Sequence, residues 1–394
     1  MRVVVSDYFG HAFPAQLARE LAARGHAVLH LHCSSFLSGK GRLERTAADP
    51  PLLAFGSVDL GQPFAKYDVV RRVRHERHTA RALAGQLRDF RPDAVLSIGP
   101  LIVQIELLRA SHALGAGFVF WQQDVMSSAA RRVVGRRSRL AGASAEWTVA
   151  GLERQLLRRS DAVVVISEDF LPQLRSWHVD EARVTVIENW APLDELPALA
   201  RDTAWAREQG LDGQRVFLYA GTLGFKHDPN LLLELSRWAG RSGALVVVVS
   251  EGPGADWLAE HGDGESALRL HPYQPHDRLP EVLASADVLV ALLEPEAGAF
   301  SVPSKILTYL CAARPLLVSV PADNLAARVV ERSGGGVVVR PGDSRAFVQA
   351  AETLIGDAEL REELARRGRA YAEAAFDVGA VTERFEQVLE RASR

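Results

Sequence analysis

Short runs of β-branched and apolar residues alternate with helix-length amphipathic segments from one end of this 394-residue chain to the other. Few folds accept that pattern. Strands separated by room for a helix are joined by crossovers, so neighbouring strands run parallel, and a parallel sheet needs helices over both faces. The reading is therefore α/β with parallel sheets.

In the first half the strand candidates are Val3 to Ser6, Val28 to His32, Ala94 to Ile98, Phe118 to Trp121, Ala162 to Ile166 and Val184 to Ile187. The pattern pauses after Asn189-Trp-Ala-Pro192, through an acidic, alanine-rich stretch to about Gln214. It restarts with Val216 to Ala220, Leu245 to Val249, Leu268 to Leu270, Val288 to Leu293, Leu316 to Val320 and Val337 to Val339. A chain of this length exceeds one ordinary core. The expected domains are residues 1–190 and 191–375, followed by a C-terminal helix, 376–394, that could pack back on the N-terminal domain. In doubly wound sheets ligands sit beyond the carboxyl ends of the strands, so two such domains facing a cleft would line it with strand-to-helix loops.

Composition narrows the class of function. Apolar residues at 47%, charged residues at 24% and a net charge of -3 describe a globular protein rather than a nucleic-acid-coating one. Cys33 and Cys311 are the only cysteines, which disfavours a disulfide framework or a Cys-rich zinc site and fits a reducing cytoplasm. The N-terminus runs into a strand pattern without a long apolar region, and no stretch approaches the roughly 18 apolar residues of a membrane span.

Four loops could carry chemistry. Asp7-Tyr-Phe-Gly-His-Ala-Phe-Pro14 follows the first strand; Gly10 would let backbone approach a ligand and His11 could donate to an anion or hydroxyl. Tyr219-Ala-Gly-Thr-Leu-Gly-Phe-Lys-His-Asp-Pro-Asn230 sets Lys226 just before a helix. Ser250-Glu-Gly-Pro-Gly254 matches a dinucleotide fingerprint only in part, because Trp257 stands where the third glycine belongs, and a nicotinamide dehydrogenase is disfavoured. The fourth, Ser301-Val-Pro-Ser-Lys305, ends at a helix start, where free N–H groups, the Ser304 hydroxyl and the Lys305 ammonium suit a phosphate. Each loop taken alone also reads as an ordinary turn or helix cap. P-loop, zinc-protease and nucleophile-elbow motifs are absent from the sequence.

Together, Gly10-His-Ala-Phe-Pro14, Gly221-Thr-Leu-Gly-Phe-Lys-His-Asp-Pro229, Ser250-Glu-Gly-Pro-Gly254 and Val302-Pro-Ser-Lys-Ile-Leu-Thr-Tyr-Leu310 resemble family 4 glycosyltransferases. The likeness is nearest to the branch with fucosamine-type transferases of bacterial cell-surface polysaccharide assembly, and covers essentially the whole chain. It implies the GT-B fold, two Rossmann-like domains with parallel sheets facing an interdomain cleft. It also implies a nucleotide-sugar donor (UDP-, GDP- or dTDP-linked) held by the C-terminal domain, a hydroxyl acceptor held by the N-terminal domain, and retention of configuration with no cofactor or required metal. The donor positions it marks are Gly10, His11, Thr222, Glu251, Gly252, Tyr273, Glu296, Ser301, Pro303, Ser304 and Thr308.

The chain departs from the family pattern at three places. Phe300 and Thr308 stand where many members carry two glutamates, the second of which binds the ribose, and Thr222 replaces an arginine. Glu294 and Glu296 lie upstream as substitutes. Negative charge developing on the departing phosphate would fall to Lys226, Lys305 and Ser304. Asp124, in Trp121-Gln-Gln-Asp124, is the candidate for orienting the acceptor or assisting its deprotonation, with capping of the next helix as its ordinary role.

Between Arg131 and Arg159 lie eight arginines against two glutamates, interleaved with apolar positions. The segment suits peripheral contact with an anionic membrane or a lipid-phosphate acceptor, and it also reads as a solvated helix face or an intramolecular packing helix. The missing glutamates leave two alternatives to a transferase: a catalytically silent nucleotide-sugar-binding subunit, or a nucleotide-sugar epimerase.

Overall fold

A computed structural model describes residues 1–36, 41–64, 68–135, 138–224, 227–294 and 304–394. The chain forms two compact units, residues 1–188 with 378–394, and residues 189–377.

The first unit runs β1 (Arg2–Asp7), α1 (Ala12–Ala23), β2 (Ala27–Cys33), β3 (Leu53–Val58), α2 (Val69–Phe90), β4 (Ala94–Ile98), α3 (Leu101–Ala113), β5 (Gly117–Gln122), α4 (Met126–Gly135), α5 (Arg139–Arg159), β6 (Ala162–Val165), α6 (Leu171–Ser176) and β7 (Val184–Val186). Its seven strands pair in the order β3-β2-β1-β4-β5-β6-β7. Every pairing is parallel. The central strands β4 and β5 are buried along their whole length, which is why AVLSI and GFVFWQ contain no charged residue.

The second unit runs α7 (Ala204–Glu208), β8 (Arg215–Ala220), α8 (Pro229–Arg241), β9 (Ala244–Val249), α9 (Pro253–His261), β10 (Leu268–His271), α10 (Leu279–Ala284), β11 (Val288–Leu292), α11 (Lys305–Cys311), β12 (Leu316–Ser319), α12 (Leu325–Ser333), β13 (Gly336–Val339), α13 (Ser344–Gly356) and α14 (Ala358–Ala375). Its six parallel strands follow the order β10-β9-β8-β11-β12-β13. Both sheets reverse their strand order beside the first strand of the unit, the place where doubly wound sheets hold ligands. The expected fold class, two Rossmann-like domains with parallel sheets, is the one observed.

Helix α15 (Val378–Ala392) closes the first unit. Its Phe385 ring centroid lies 4.5 Å from that of Trp121 on β5, and both side chains are fully buried. Gly117 marks how tight this seam is, since a Cβ there would come 2.0 Å from the Ala392 carbonyl oxygen. The sequence reading passed over β3. It is an edge strand with mixed burial and a glycine in its middle, so neither alternation nor a continuous apolar run announces it.

Candidate functional site

In the second unit the site grows from the carboxyl end of β8. Tyr219 is fully buried, and its hydroxyl donates to the Thr222 carbonyl at 2.9 Å and accepts from Lys305 Nζ. Lys305 opens α11, and its Nζ also lies 3.7 Å from the centroid of the Tyr219 ring. One turn further on, the Tyr309 hydroxyl accepts from Ala220 N at 2.8 Å and donates to Ala220 O at 2.9 Å. Two tyrosines therefore clamp the strand end against the helix that carries the lysine. The chain then turns through Gly221 at a φ of 124°, where a Cβ would meet Lys305 Cε at 3.5 Å.

Thr222 is hydrogen-bonded through its hydroxyl to the Tyr273 hydroxyl, which arrives from the loop after β10. The loop after β9 joins by backbone contacts. Leu223 N donates to Glu251 O at 3.2 Å, and Gly254 N donates to Leu223 O at 2.8 Å. Gly252 has a φ of 110°, and a Cβ there would lie 3.3 Å from Leu223 O. The structure thus brings together Thr222, Glu251, Gly252, Tyr273 and Lys305. The Glu251 side chain is exposed.

Ser304 is the exposed N-cap of α11 and makes no side-chain cap bond. Thr308 lies three residues after Lys305, on the same half-exposed face. Lys226, Glu296, Ser301 and Pro303 fall outside the described residues.

Burial pushes the Lys305 ammonium down to about 7. Its partners are a neutral hydroxyl and a ring face, and no carboxylate among the described residues stands within ion-pairing distance. Such a cation is short of negative charge, which a phosphate would supply.

The first unit carries a second cluster at the end of β1. Asp7 is fully buried and accepts from Phe9 N and His11 Nδ1, each at 3.1 Å, and from His11 N. Burial would raise its carboxyl, but the adjacent His11 charge and these bonds outweigh it and hold the group below its ordinary value. Burial works against a charged His11, yet the charge and hydrogen bond of Asp7, with a further pull from Asp124, raise the imidazole above its ordinary value. His11 and Asp124 are therefore electrostatic neighbours. Gly10, buried and at a φ of 75°, turns the chain between Asp7 and His11, and its N–H donates to Asp7 O at 3.2 Å.

The first two N–H groups of α4, the helix that follows Asp124, are held by a residue of the neighbouring helix. Glu153 of α5, fully buried, accepts from Met126 N and Ser127 N at 2.9 Å each and from Gln122 Nε2 at 3.3 Å. Burial raises its carboxyl, against the pull of those donors. Glu153 thereby pins the turn that presents the exposed Asp124. Sequence reasoning missed Glu153, Tyr219, Tyr309 and Asp7. Only the position of Tyr219, two residues before Gly221 at a strand end, gave any local signal.

Among the described residues no group of three or more His, Cys, Asp or Glu is placed to hold a metal ion, and no helix is long and apolar enough to cross a membrane.

Residues 11–190 match the family model described as a glycosyl transferase 4-like domain, and residues 214–357 match glycosyl transferases group 1. No curated protein sequence matches the chain. Among solved structures, sucrose-phosphate synthase from Thermosynechococcus elongatus is similar at 16% identity and a TM-score of 0.72, covering 99% of this chain and 98% of that one. WaaG, a glycosyltransferase involved in lipopolysaccharide biosynthesis, is similar at 16% identity and a TM-score of 0.70, covering 98% and 99%. Anabaena HepE in complex with UDP and glucose follows at 12% identity and a TM-score of 0.69, covering 99% of each chain. The two family matches fall one on each Rossmann-type sheet, so the first unit carries a glycosyl transferase 4-like domain and the second a domain of glycosyl transferases group 1.

Proposed function

We propose that the protein is a retaining glycosyltransferase that moves a hexose-type sugar from a nucleoside-diphosphate sugar to an acceptor hydroxyl, in glycan, glycolipid or secondary-metabolite biosynthesis. The observation that carries this reading is Lys305, a half-buried cation without an anionic partner among the described residues, held by Tyr219 beside the glycine turn at Gly221. In this reading the second unit holds the donor, with Lys305, Ser304 and Lys226 serving the diphosphate, and Thr222, Tyr273 and Thr308 the sugar and nucleoside. The first unit holds the acceptor near Asp124.

The bond between the anomeric carbon and the phosphate oxygen breaks, and the acceptor oxygen bonds that carbon on the same face. The acceptor proton passes to the departing phosphate oxygen, so no side-chain nucleophile is needed. Charge gathering on the diphosphate is what Lys305 stabilises. Metal independence, the fucosamine-transferase-like branch and a cytoplasmic setting, which suits two buried free cysteines, belong to the same proposal.

The test is a panel of UDP-, GDP- and dTDP-sugars followed by thermal shift and donor hydrolysis, with and without EDTA. A ligand that prefers the native state raises its melting temperature by mass action. Stabilisation by one donor with EDTA-resistant hydrolysis supports the proposal. Stabilisation without hydrolysis or transfer favours the silent binding subunit, a reading motivated by Phe300 and Thr308 at the usual glutamate positions. Conversion of the donor into an isomer without acceptor marks an epimerase.

A further inference from the structure

Helix α5 has two unlike faces. Glu153, Leu156, Leu157 and Ser160 beside its end are buried, whereas Trp147, Leu152, Arg154, Arg158 and Arg159 point to solvent. Trp147 is 81% exposed, the only exposed aromatic side chain among the described residues, and Leu152 is 42% exposed. At 100° per residue, Arg154 and Arg158 fall within about 20° of the Trp147 direction, so one stripe carries an aromatic ring and two guanidinium groups.

The charge on that face is one-sided. Arg154, Arg158 and Arg159 have no ion-pair partner among the described residues. Of the two acids of the helix, Glu153 is buried and bonded to the start of α4, and Glu146 is paired with Arg131 at 3.2 Å. Helix α4, which packs along α5, contributes no acid.

We propose that the outward face of α5 docks on an anionic bilayer, with Trp147 seated at the headgroup level and Arg154 and Arg158 on lipid phosphates. An amphipathic indole prefers the boundary between water and acyl chains, and arginines beside it gain from the negative surface potential. A solvated helix face has no reason to expose tryptophan at the centre of its cationic stripe. The face would bring the enzyme to acceptors carried in the membrane, but the docking stands independently of the glycosyltransfer reading.

The experiment is flotation of the whole protein with vesicles of phosphatidylcholine alone and of phosphatidylcholine and phosphatidylglycerol in equal parts, at low and high salt. Binding is expected only to the anionic vesicles and should weaken with salt, since exposed charges are screened over about 8 Å at physiological ionic strength. The double variant Arg154→Glu and Arg158→Glu should lower the vesicle partition by at least about thirtyfold, and Trp147→Ala should lower it at both salt levels. The variants should keep the wild-type melting temperature, and donor binding in solution should be unchanged. Equal binding to neutral vesicles, no binding at low salt, or full binding by the charge-reversed double variant would each overturn the proposal. So would a concentration-dependent dimer, abolished by Trp147→Ala, without vesicle binding.

Discussion

Lys305 Nζ lies 3.7 Å from the centroid of the Tyr219 ring and donates a hydrogen bond to the hydroxyl of the same residue. The lysine begins a helix and the tyrosine ends a strand, so the pair fixes where a positive charge stands relative to the glycine turn that follows. Lys305→Ala should cost about 2–4 kcal/mol of transition-state stabilisation while leaving the melting temperature near that of the wild type. Tyr219→Phe keeps the ring and removes the hydroxyl, and should lower turnover by about tenfold through a loosened lysine. Wild-type turnover in a folded Lys305→Ala protein refutes the phosphate assignment.

The same lysine gives donor binding a proton signature. Its folded value is about 7, below the ordinary lysine value, because burial disfavours the charge. Above that pH it is mostly neutral in the free protein, and a bound diphosphate should draw a proton onto it. Calorimetry at pH 8 in buffers of different ionisation enthalpy should therefore show proton uptake, absent in Lys305→Met. The stability sign runs the other way. A depressed lysine leaves the unfolded state with more protons between pH 7 and its ordinary value, so folding stability attributable to this group rises with pH across that window. Lys305→Met should flatten that rise.

Thr308 lies one turn from Lys305 on α11, and the sequence resemblance implies a family carboxylate at its position. Thr308→Glu should change nucleotide affinity or base preference in calorimetry. An unchanged donor profile would move the ribose contact to Glu294 or Glu296.

Asp7 and His11 stabilise each other's charged forms. Asp7 is held low, so its contribution is present above its unfolded value and fades as pH falls. His11 is held high, so its contribution is complete below its unfolded value and fades as pH rises through the folded one. Asp7→Asn should lower the His11 titration midpoint by NMR and lower and flatten the stability maximum between those limits. A His11 midpoint that does not move would show that another group sets its charge.

Glu153→Ala would strip two buried N–H groups of their acceptor, and a loss of about 1–3 kcal/mol in stability is expected by denaturant unfolding. Glu153→Gln retains one acceptor oxygen and should lose less. If turnover falls in Glu153→Gln with folding intact, the turn carrying Asp124 needs the full carboxylate.

Composition and periodicity alone determined the α/β class, the parallel strands and twelve of the strand positions, all but β3 among those observed. Strands buried on both faces must be written in β-branched and apolar residues, and crossovers must be long enough for a helix, so both leave marks that any reader of the chain can find. That Gly10, Thr222 and Gly252 lie in turns after strands and that Lys305 opens a helix was also legible, because tight turns favour glycine and a helix follows each strand end. Partnerships were not. Tyr219 with Lys305, Glu153 with Met126 and Ser127, and Asp7 with His11 and Asp124 depend on which strand ends lie side by side and on how far burial strips each charge of water. Those are properties of packing between residues remote in the chain, and for that reason only the tertiary structure decided which cations and carboxylates have partners and which face of α5 meets the solvent.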